Sequence, residues 1–405
     1  MSFRSAAYAK IMWRIADRPL NGVQSEPGLF RVPGEVFPNF GSQCETKGQV
    51  ILNNFEKLMA EVQNSDVDAV LLKSSANRFW ATGFRSSAGC VIVTAREVFF
   101  FTDSRYIEAA RAAVKGATVG LVSASMRESK WIEQVVSDCG VASLGIEEES
   151  ITHSEYLRLA SELDAELLPS QKILKRLRAA KTSMEIENIR VAQIITENVF
   201  LEMLDIIKPG IAEYEIAAEL QYRMLMHGAE GMSFSPIVVS GERTSLPHGE
   251  ATANKLSTGF LTMDFGCVKN GYCSDMTRTV CMGAPSAEMR LVYETVLAAQ
   301  EAGIAAARSG IPGKAIDKAA RDVIDDAGCG EYFGHSFGHG LGIEIHETPN
   351  AAPTEEEILP DGAVISAEPG IYMEGKFGVR IEDTLALMPD GALNLTNAPK
   401  NLIIL

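Results

Sequence analysis

No run in the 405-residue sequence approaches the ~18 consecutive apolar positions that a membrane-spanning helix needs, which counts against a membrane protein. There is also no CxxC pair. The seven cysteines stand at 44, 90, 139, 267, 273, 281 and 329. An odd number without paired spacing favours free thiols in a reducing compartment, so a cytoplasmic protein is expected. Cys267 and Cys273 are five residues apart with no second pair, which fits buried thiols better than zinc ligands. Positive charge is in short supply too. The formal net charge of −16 disfavours a nucleic-acid partner, which would need a clustered basic surface. A solvated acidic surface is the plain reading.

The opening MSFRSAAYAKIMWR has no acid before Asp17, a faint likeness to a transit peptide, but lacks the apolar stretch of a secretory signal. Residues 1–46 read as a loosely attached leader. The remainder, in a chain that is 46% hydrophobic, is long enough for a large core and two domains.

From about Lys47 a helical stretch (VILNNFEKLMAEVQ) leads to a buried-strand run over Val67–Leu72. Strands follow at Cys90–Thr94, Val98–Thr102 and near Leu144–Ile146, with helices around Arg105–Val114 and Trp131–Ser137. This alternation predicts an α/β amino-terminal domain over 47–170. The basic KILKRLRAAK then reads as a connector with a solvated face. Thr182 and Glu185 have capping-box spacing. The apolar stripe Ile186, Ile189, Ala192, Ile195 and Val199 predicts a long helix opening a second domain over 171–405.

That second domain repeats itself loosely. His248 (LPHGE) precedes a strand ending at Asp264 (FLTMDFG), then an Asn270-Gly271 turn and a strand carrying Asp275 (SDMTRTV). His346 (IHETP) precedes a strand ending at Glu368 (AVISAEPG), then a glycine-bounded turn and a strand carrying Glu382 (VRIEDTLAL). Asn-Gly is a strong hairpin signal, so the two acids of a half sit on neighbouring antiparallel strands. Two facing hairpins bring four carboxylates together. Like charges removed from water raise one another's pKa and destabilise the fold unless compensated. Carboxylates joined by one imidazole, His339, suit a pair of hard divalent cations.

Three of the six histidines fall within HSFGHGLGIEIHE (335–347). A zinc-peptidase helix is excluded by Gly338, Gly340 and Gly342, each costing about 1 kcal/mol in a helix. Alternation at Ile343, Glu344 and Ile345 predicts a turn feeding a strand, with His339 near its start and His346 towards its end.

The stretches GAEGMSFSPIVVSG (228–241), LPHG (246–249), MDFG (263–266), SDMTRT (274–279), HSFGHGLGIEIHE, AEPGIY (367–372) and GVRIEDT (378–384) resemble, in order, the pita-bread metallopeptidases of the aminopeptidase P and prolidase branch. NRFWATGF (77–84) and TDSRY (102–106) resemble that branch's creatinase-like amino-terminal domain. The resemblance implies an α+β pita-bread catalytic domain with pseudo-twofold halves. It further implies two divalent ions, Mn²⁺ first, with Co²⁺, Zn²⁺ or Fe²⁺ as alternatives. Asp264, Asp275, His339, Glu368 and Glu382 become the ligands, Asp275 and Glu382 bridging, Asp264 completing one site, His339 and Glu368 the other. His248 and His346 match the non-ligand histidines beside the substrate; His335 and Arg380 line the prolyl side. Glu368 is also placed to move the proton of the attacking water.

The implied activity is hydrolysis of the bond before proline by a metal-activated hydroxide, in a homodimer. Between an Xaa-Pro aminopeptidase and an Xaa-Pro dipeptidase, the former is expected. Several short prolidases carry an arginine after His-Glu-x-Pro to grip a dipeptide's carboxylate, and here that position is Asn350, followed by acidic Glu355–Glu357. A metal-free creatinase-like hydrolase or a non-catalytic pita-bread binding protein is disfavoured, because all five ligands are retained.

Overall fold

The computed structural model of the chain describes residues 54–405; the leader over 1–46 and the start of the helix expected from Lys47 lie outside them. The first domain is a six-stranded sheet of β1 (Ala69–Leu72), β2 (Cys90–Thr94), β3 (Val98–Thr102), β4 (Thr118–Leu121), β5 (Ser143–Ile146) and β6 (Glu166–Pro169), in the order 4-3-2-1-5-6. Its helices are α1 (Asn54–Gln63), α2 (Ser75–Thr82), α3 (Ile107–Ala113), α4 (Glu128–Asp138) and α5 (His153–Glu162). The central strands are apolar throughout because both faces are covered. Val70, Leu72, Val91 and Val93 pack with Phe55, Leu58 and Trp80 on one face. Ala69, Leu71, Cys90 and Ile92 pack with Ile132, Val135 and Leu159 on the other.

β2 and β3 fall where sequence predicts them, whereas α2, β4, α5 and β6 were not foreseen. Helix α2 is set locally: Ser74 accepts a hydrogen bond from the Asn77 backbone, and Gly83 ends the helix at φ 66°. Its apolar periodicity is broken by Asn77 and Arg78, which are buried although polar.

Helix α6 (Gln171–Ala179) leads into the second domain, and all described residues fall in one compact unit, Leu52–Leu405. Here one expectation is corrected. The connector's basic face is not wholly solvated, since Arg178 and Lys181 are buried in ion pairs with Glu347.

The second domain opens with α7 (Ser183–Leu204), whose start has the expected capping box of Thr182 and Glu185, followed by α8 (Glu213–Met226). Strands β7 (Gly231–Met232), β8 (Ile237–Ser240), β9 (Gly259–Phe265), β10 (Cys267–Lys269), β11 (Tyr272–Cys273) and β12 (Met276–Met282) complete the first half. The second half has α9 (Ala287–Ala306), α10 (Gly313–Asp326), β13 (Gly338–Gly340), β14 (Glu347–Ala351), β15 (Val364–Ala367), β16 (Gly370–Met373), β17 (Phe377–Arg380), β18 (Asp383–Met388) and β19 (Gly391–Asn394).

The repeat is real, and it runs deeper than the hairpins. β9 pairs antiparallel with β12 and β10 with β11; β15 pairs likewise with β18 and β16 with β17. Each half also opens with a long helix, a turn through a positive-φ glycine (Gly210, Gly310) and a short helix entered through an isolated bridge, Ala212 to Lys255 or Pro312 to Ile358. Residues 341–346, expected as strand, form instead a bent loop between β13 and β14. Their backbone groups go sideways rather than to one neighbour: Leu341 N–H donates to Val364 O, and Gly342 O accepts from Cys273 N–H. Among the described residues no helix is long and apolar enough to cross a membrane.

Candidate metal centre and active site

Strand alternation puts the acids on the inner face. In β9, Leu261, Met263 and Phe265 join the core under α7 and α8, leaving Asp264 on the opposite side with Phe260 and Thr262. In β12, Met276 and Val280 enter that core while Asp275 shares its parity with buried Thr277 and Thr279. In the second half Ile365 and Ala367 face the core under α9 and α10, leaving Ser366 and Glu368 on the other side; Leu385 and Leu387 likewise leave Glu382 and Thr384. All nine residues singled out in the sequence line one cavity of about 830 Å³.

Asp275, His339 and Glu382 each offer a ligand atom within 4.8 Å of one another. His339 Nε2 stands 3.5 Å from Asp275 Oδ2 and 3.3 Å from Glu368 Oε1. Its Nδ1 contacts Gly340 O at 3.1 Å. With the proton on Nδ1, Nε2 is left as a lone-pair donor facing the carboxylates, the tautomer a metal ligand requires. Asp264 and Glu368 share the cavity but turn to protein partners: Asp264 Oδ2 accepts from Arg380 Nη2 at 2.6 Å, and Glu368 Oε1 from Ser366 Oγ at 3.0 Å.

Three oxygens test the fit to a cation. Asp264 Oδ1, Asp275 Oδ1 and Glu382 Oε1 are buried without a hydrogen-bond partner. Burial, with the neighbouring carboxylates behind it, pushes the Asp275 and Glu382 carboxyls well above the usual range and raises Glu368 as well. Buried acceptors of this kind are ordinarily paired, so unpaired oxygens converging on one cavity fit divalent cations.

The prolyl-side candidates form an ordered chain of donors. Arg380 Nη1 donates to Tyr372 Oη at 2.8 Å, and Tyr372 Oη lies 2.9 Å from His335 Nε2. His335 Nδ1 faces Ser336 O at 2.8 Å. Burial lowers the His335 pKa and pushes the Tyr372 hydroxyl up to about 12, so Tyr372 donates to a neutral His335. Both ring nitrogens of His335 are therefore engaged, and its ring is the part left to line the cavity. Phe333 packs edge-on against that ring at 5.1 Å. His248 and His346 are solvent-exposed at the cavity. The His346 and His339 ring centroids lie 4.3 Å apart; burial lowers the His339 pKa, and partial desolvation, with His339 beside it, lowers that of His346.

Asn350 lines the cavity; Glu355–Glu357 do not, and Glu356 pairs with Lys314. Sequence reasoning assigned no role to Tyr372, Thr277 or Ser366. Tyr372 lay within AEPGIY, and its parity with Gly370 gave no signal. Thr277, which donates to Glu382 Oε2 at 2.7 Å, could have been found as the inward neighbour of Asp275.

Two facing hairpins that bring four carboxylates and an imidazole to one cavity beneath paired helices match the pita-bread metallopeptidase class. The chain belongs to metallopeptidase family M24, which residues 187–388 match, and residues 54–180 match the creatinase/prolidase N-terminal domain. It is 40% identical to the uncharacterized peptidase YqhT of Bacillus subtilis, over 86% of this chain and 99% of that protein. The structure of an Xaa-Pro dipeptidase from Bacillus anthracis superposes with TM-score 0.84 at 37% identity, covering 87% of this chain and 99% of the other. That of an X-Pro aminopeptidase from Thermotoga maritima superposes with TM-score 0.81 at 36% identity, covering 85% and 99%.

Proposed function

We propose that the chain is a dinuclear, Mn²⁺-preferring Xaa-Pro peptidase of the cytoplasm that favours Xaa-Pro-Xaa peptides over dipeptides. The observation that carries the metal assignment is the set of three partnerless buried carboxylate oxygens on Asp264, Asp275 and Glu382. Asp264, Asp275, His339, Glu368 and Glu382 would hold the ions, and four oxygen-donor side chains against one imidazole suit manganese. When bound, such ions polarise a carbonyl and bring a water's pKa near neutrality.

The remaining work falls to side chains. Glu368 accepts the proton of the attacking water and passes it to the leaving prolyl nitrogen. His248 and His346, at the open side of the cavity, donate to the peptide and to the developing oxyanion. The ring of His335 and the Tyr372 ring beside it, centroids 5.5 Å apart and tilted 52° to one another, offer an aromatic corner for the pyrrolidine.

Substrate length turns on cations. Arg380 is the one lysine or arginine of the described cavity lining, and Asp264, Tyr372, Pro247 O and Thr277 already take four of its five N–H donors. With Asn350 at the position where several short prolidases carry arginine, a dipeptide's carboxylate finds no cation that is not already paired within the site. The second reading, an Xaa-Pro dipeptidase, is favoured by the Bacillus anthracis relative. The six described cysteines, all free, support the cytoplasmic assignment. Metal analysis with kcat/KM on an Xaa-Pro dipeptide and an Xaa-Pro-Xaa tripeptide tests the proposal. Two Mn²⁺ per chain, loss of activity on chelation and tripeptide preference are expected; full activity after metal removal overturns it.

A further inference from the structure

The loop 341–346 joins the strand that carries His339 to β14, and its last residue is the exposed His346. The acids flanking that histidine meet one guanidinium. Arg178 Nη2 lies 2.8 Å from Glu344 Oε2 and also bonds Glu347 Oε2. Lys181 Nζ holds the other oxygen of Glu347 at 2.8 Å. The Glu347 carboxylate folds back over the loop so closely that a side chain at Gly342 would collide with it.

The network continues into the other domain. Arg178 Nη1 donates to Asn77 Oδ1 at 2.9 Å, and Asn77 Nδ2 donates to Glu147 at the end of β5. Glu147 is held in turn by the backbone N–H of Ser74 at 2.8 Å and its hydroxyl at 2.7 Å. The side chains of Arg178, Lys181 and Glu347 are 8%, 1% and 9% exposed.

From this geometry we infer that Arg178 is a positioning residue: it clamps the His346 loop and so makes the placement of His346 depend on the docked amino-terminal domain. The inference rests on the reading of His346 as a substrate-handling group. A buried ion-pair network is a weak way to add stability, because desolvation offsets most of the attraction. Apolar contacts already join these parts, since Ile343 of the same loop packs into the core of the amino-terminal domain. What a guanidinium adds is direction. Its rigid planar fork holds Glu344 and Glu347 on one terminal nitrogen and Asn77 on the other, which ties the loop to the amino-terminal domain at a fixed separation that a lysine's single ammonium does not span. An exposed histidine at the end of an irregular loop otherwise samples many positions, and a displacement near 1 Å can cost on the order of a hundredfold in rate.

The test is a double-mutant cycle in the metal-loaded, full-length protein on an Xaa-Pro-Xaa tripeptide. R178M should lower kcat by roughly ten- to a hundredfold with little change in KM, and with two ions still bound. R178K should restore only part of that loss. In an H346A background the same R178M change should alter kcat by less than about twofold, because residues acting as a unit are non-additive. Equal losses in both backgrounds would overturn the inference. If R178M does not fold, N77A, which leaves both ion pairs, carries the cycle with a smaller loss that H346A should likewise erase. A second arm needs no turnover: amide exchange in R178M or N77A should speed up over residues 341–346, and unchanged exchange there sinks the clamp. A wild type inactive on every Xaa-Pro peptide would overturn the functional reading, while the exchange result still decides the clamp.

Discussion

Asp275 has one oxygen near His339 and another with no donor at all, in a place where burial already disfavours its charge. Removing that carboxylate should therefore matter more to metal than removing a histidine at the open side of the cavity. Asp275→Asn should abolish stoichiometric loading, while His346→Ala should keep two ions per chain and lose about 10²–10³ in kcat, the usual worth of a transition-state hydrogen bond. Elemental analysis beside steady-state kinetics decides it; equal metal content in the two variants would show one role misassigned. At Asn350 the same scale of argument sets substrate length. A charge-assisted hydrogen bond is worth about 1.5–3 kcal/mol, so its absence predicts roughly a ten- to hundredfold preference for tripeptides. Asn350→Arg should move kcat/KM towards dipeptides with metal content unchanged. A wild type that prefers dipeptides would place the chain among the dipeptidases.

Elements explain why those residues converge. The hairpin of the first half turns through Asn270 at φ 50° and Gly271 at φ 84°, the backbone that an Asn-Gly pair favours. Gly271 has a further constraint, because the Phe79 ring of the amino-terminal domain occupies the space of a side chain there. Helix α7 starts where its capping box says it should: Glu185 N–H donates to Thr182 Oγ1 at 3.2 Å, and Thr182 N–H donates to Glu185 at 2.8 Å. Thr182→Ala should cost about 1 kcal/mol of unfolding free energy in urea titrations while leaving metal content intact. No measurable change would mean that tertiary packing, not the cap, sets this helix start.

Across the whole molecule, charge is placed with unequal consequences. Most of the net −16 is spread over solvated positions, but Glu197, inside α7, is buried, and burial raises its pKa from 4.5 to about 7. Its carboxylate accepts from the Asn397 backbone at 2.9 Å. Between pH 4.5 and about 7 the folded chain thus binds this proton when the unfolded chain does not. Its contribution to stability is full below that window and is lost as pH rises through it. Glu197→Gln in the metal-loaded protein should flatten the pH dependence of stability across that window. If the wild-type and variant curves run parallel there, Glu197 is ionised in the fold.

Local chemistry made much of this legible in advance. Apolar runs became β2 and β3, Asn-Gly became a hairpin, Thr182 and Glu185 became a cap, and the repeated histidine-acid pattern, completed by the family resemblance of its motifs, singled out nine residues that line one cavity. Each signal depends on neighbours within a few residues, which is what a sequence displays. Contacts across long separations were not displayed. Arg178 reads as a solvated connector charge until Glu347, 169 residues away, is folded against it. Ile343 and Ile345 read as strand until Val364, Cys273 and Arg178 draw their loop in other directions. Asn350 and Glu355–Glu357 are close in sequence, yet only Asn350 reaches the cavity, because Glu356 turns to Lys314. Alternation and spacing determine which residue types face inward; which buried charge meets which is decided only when distant segments close and each group must find a partner out of water.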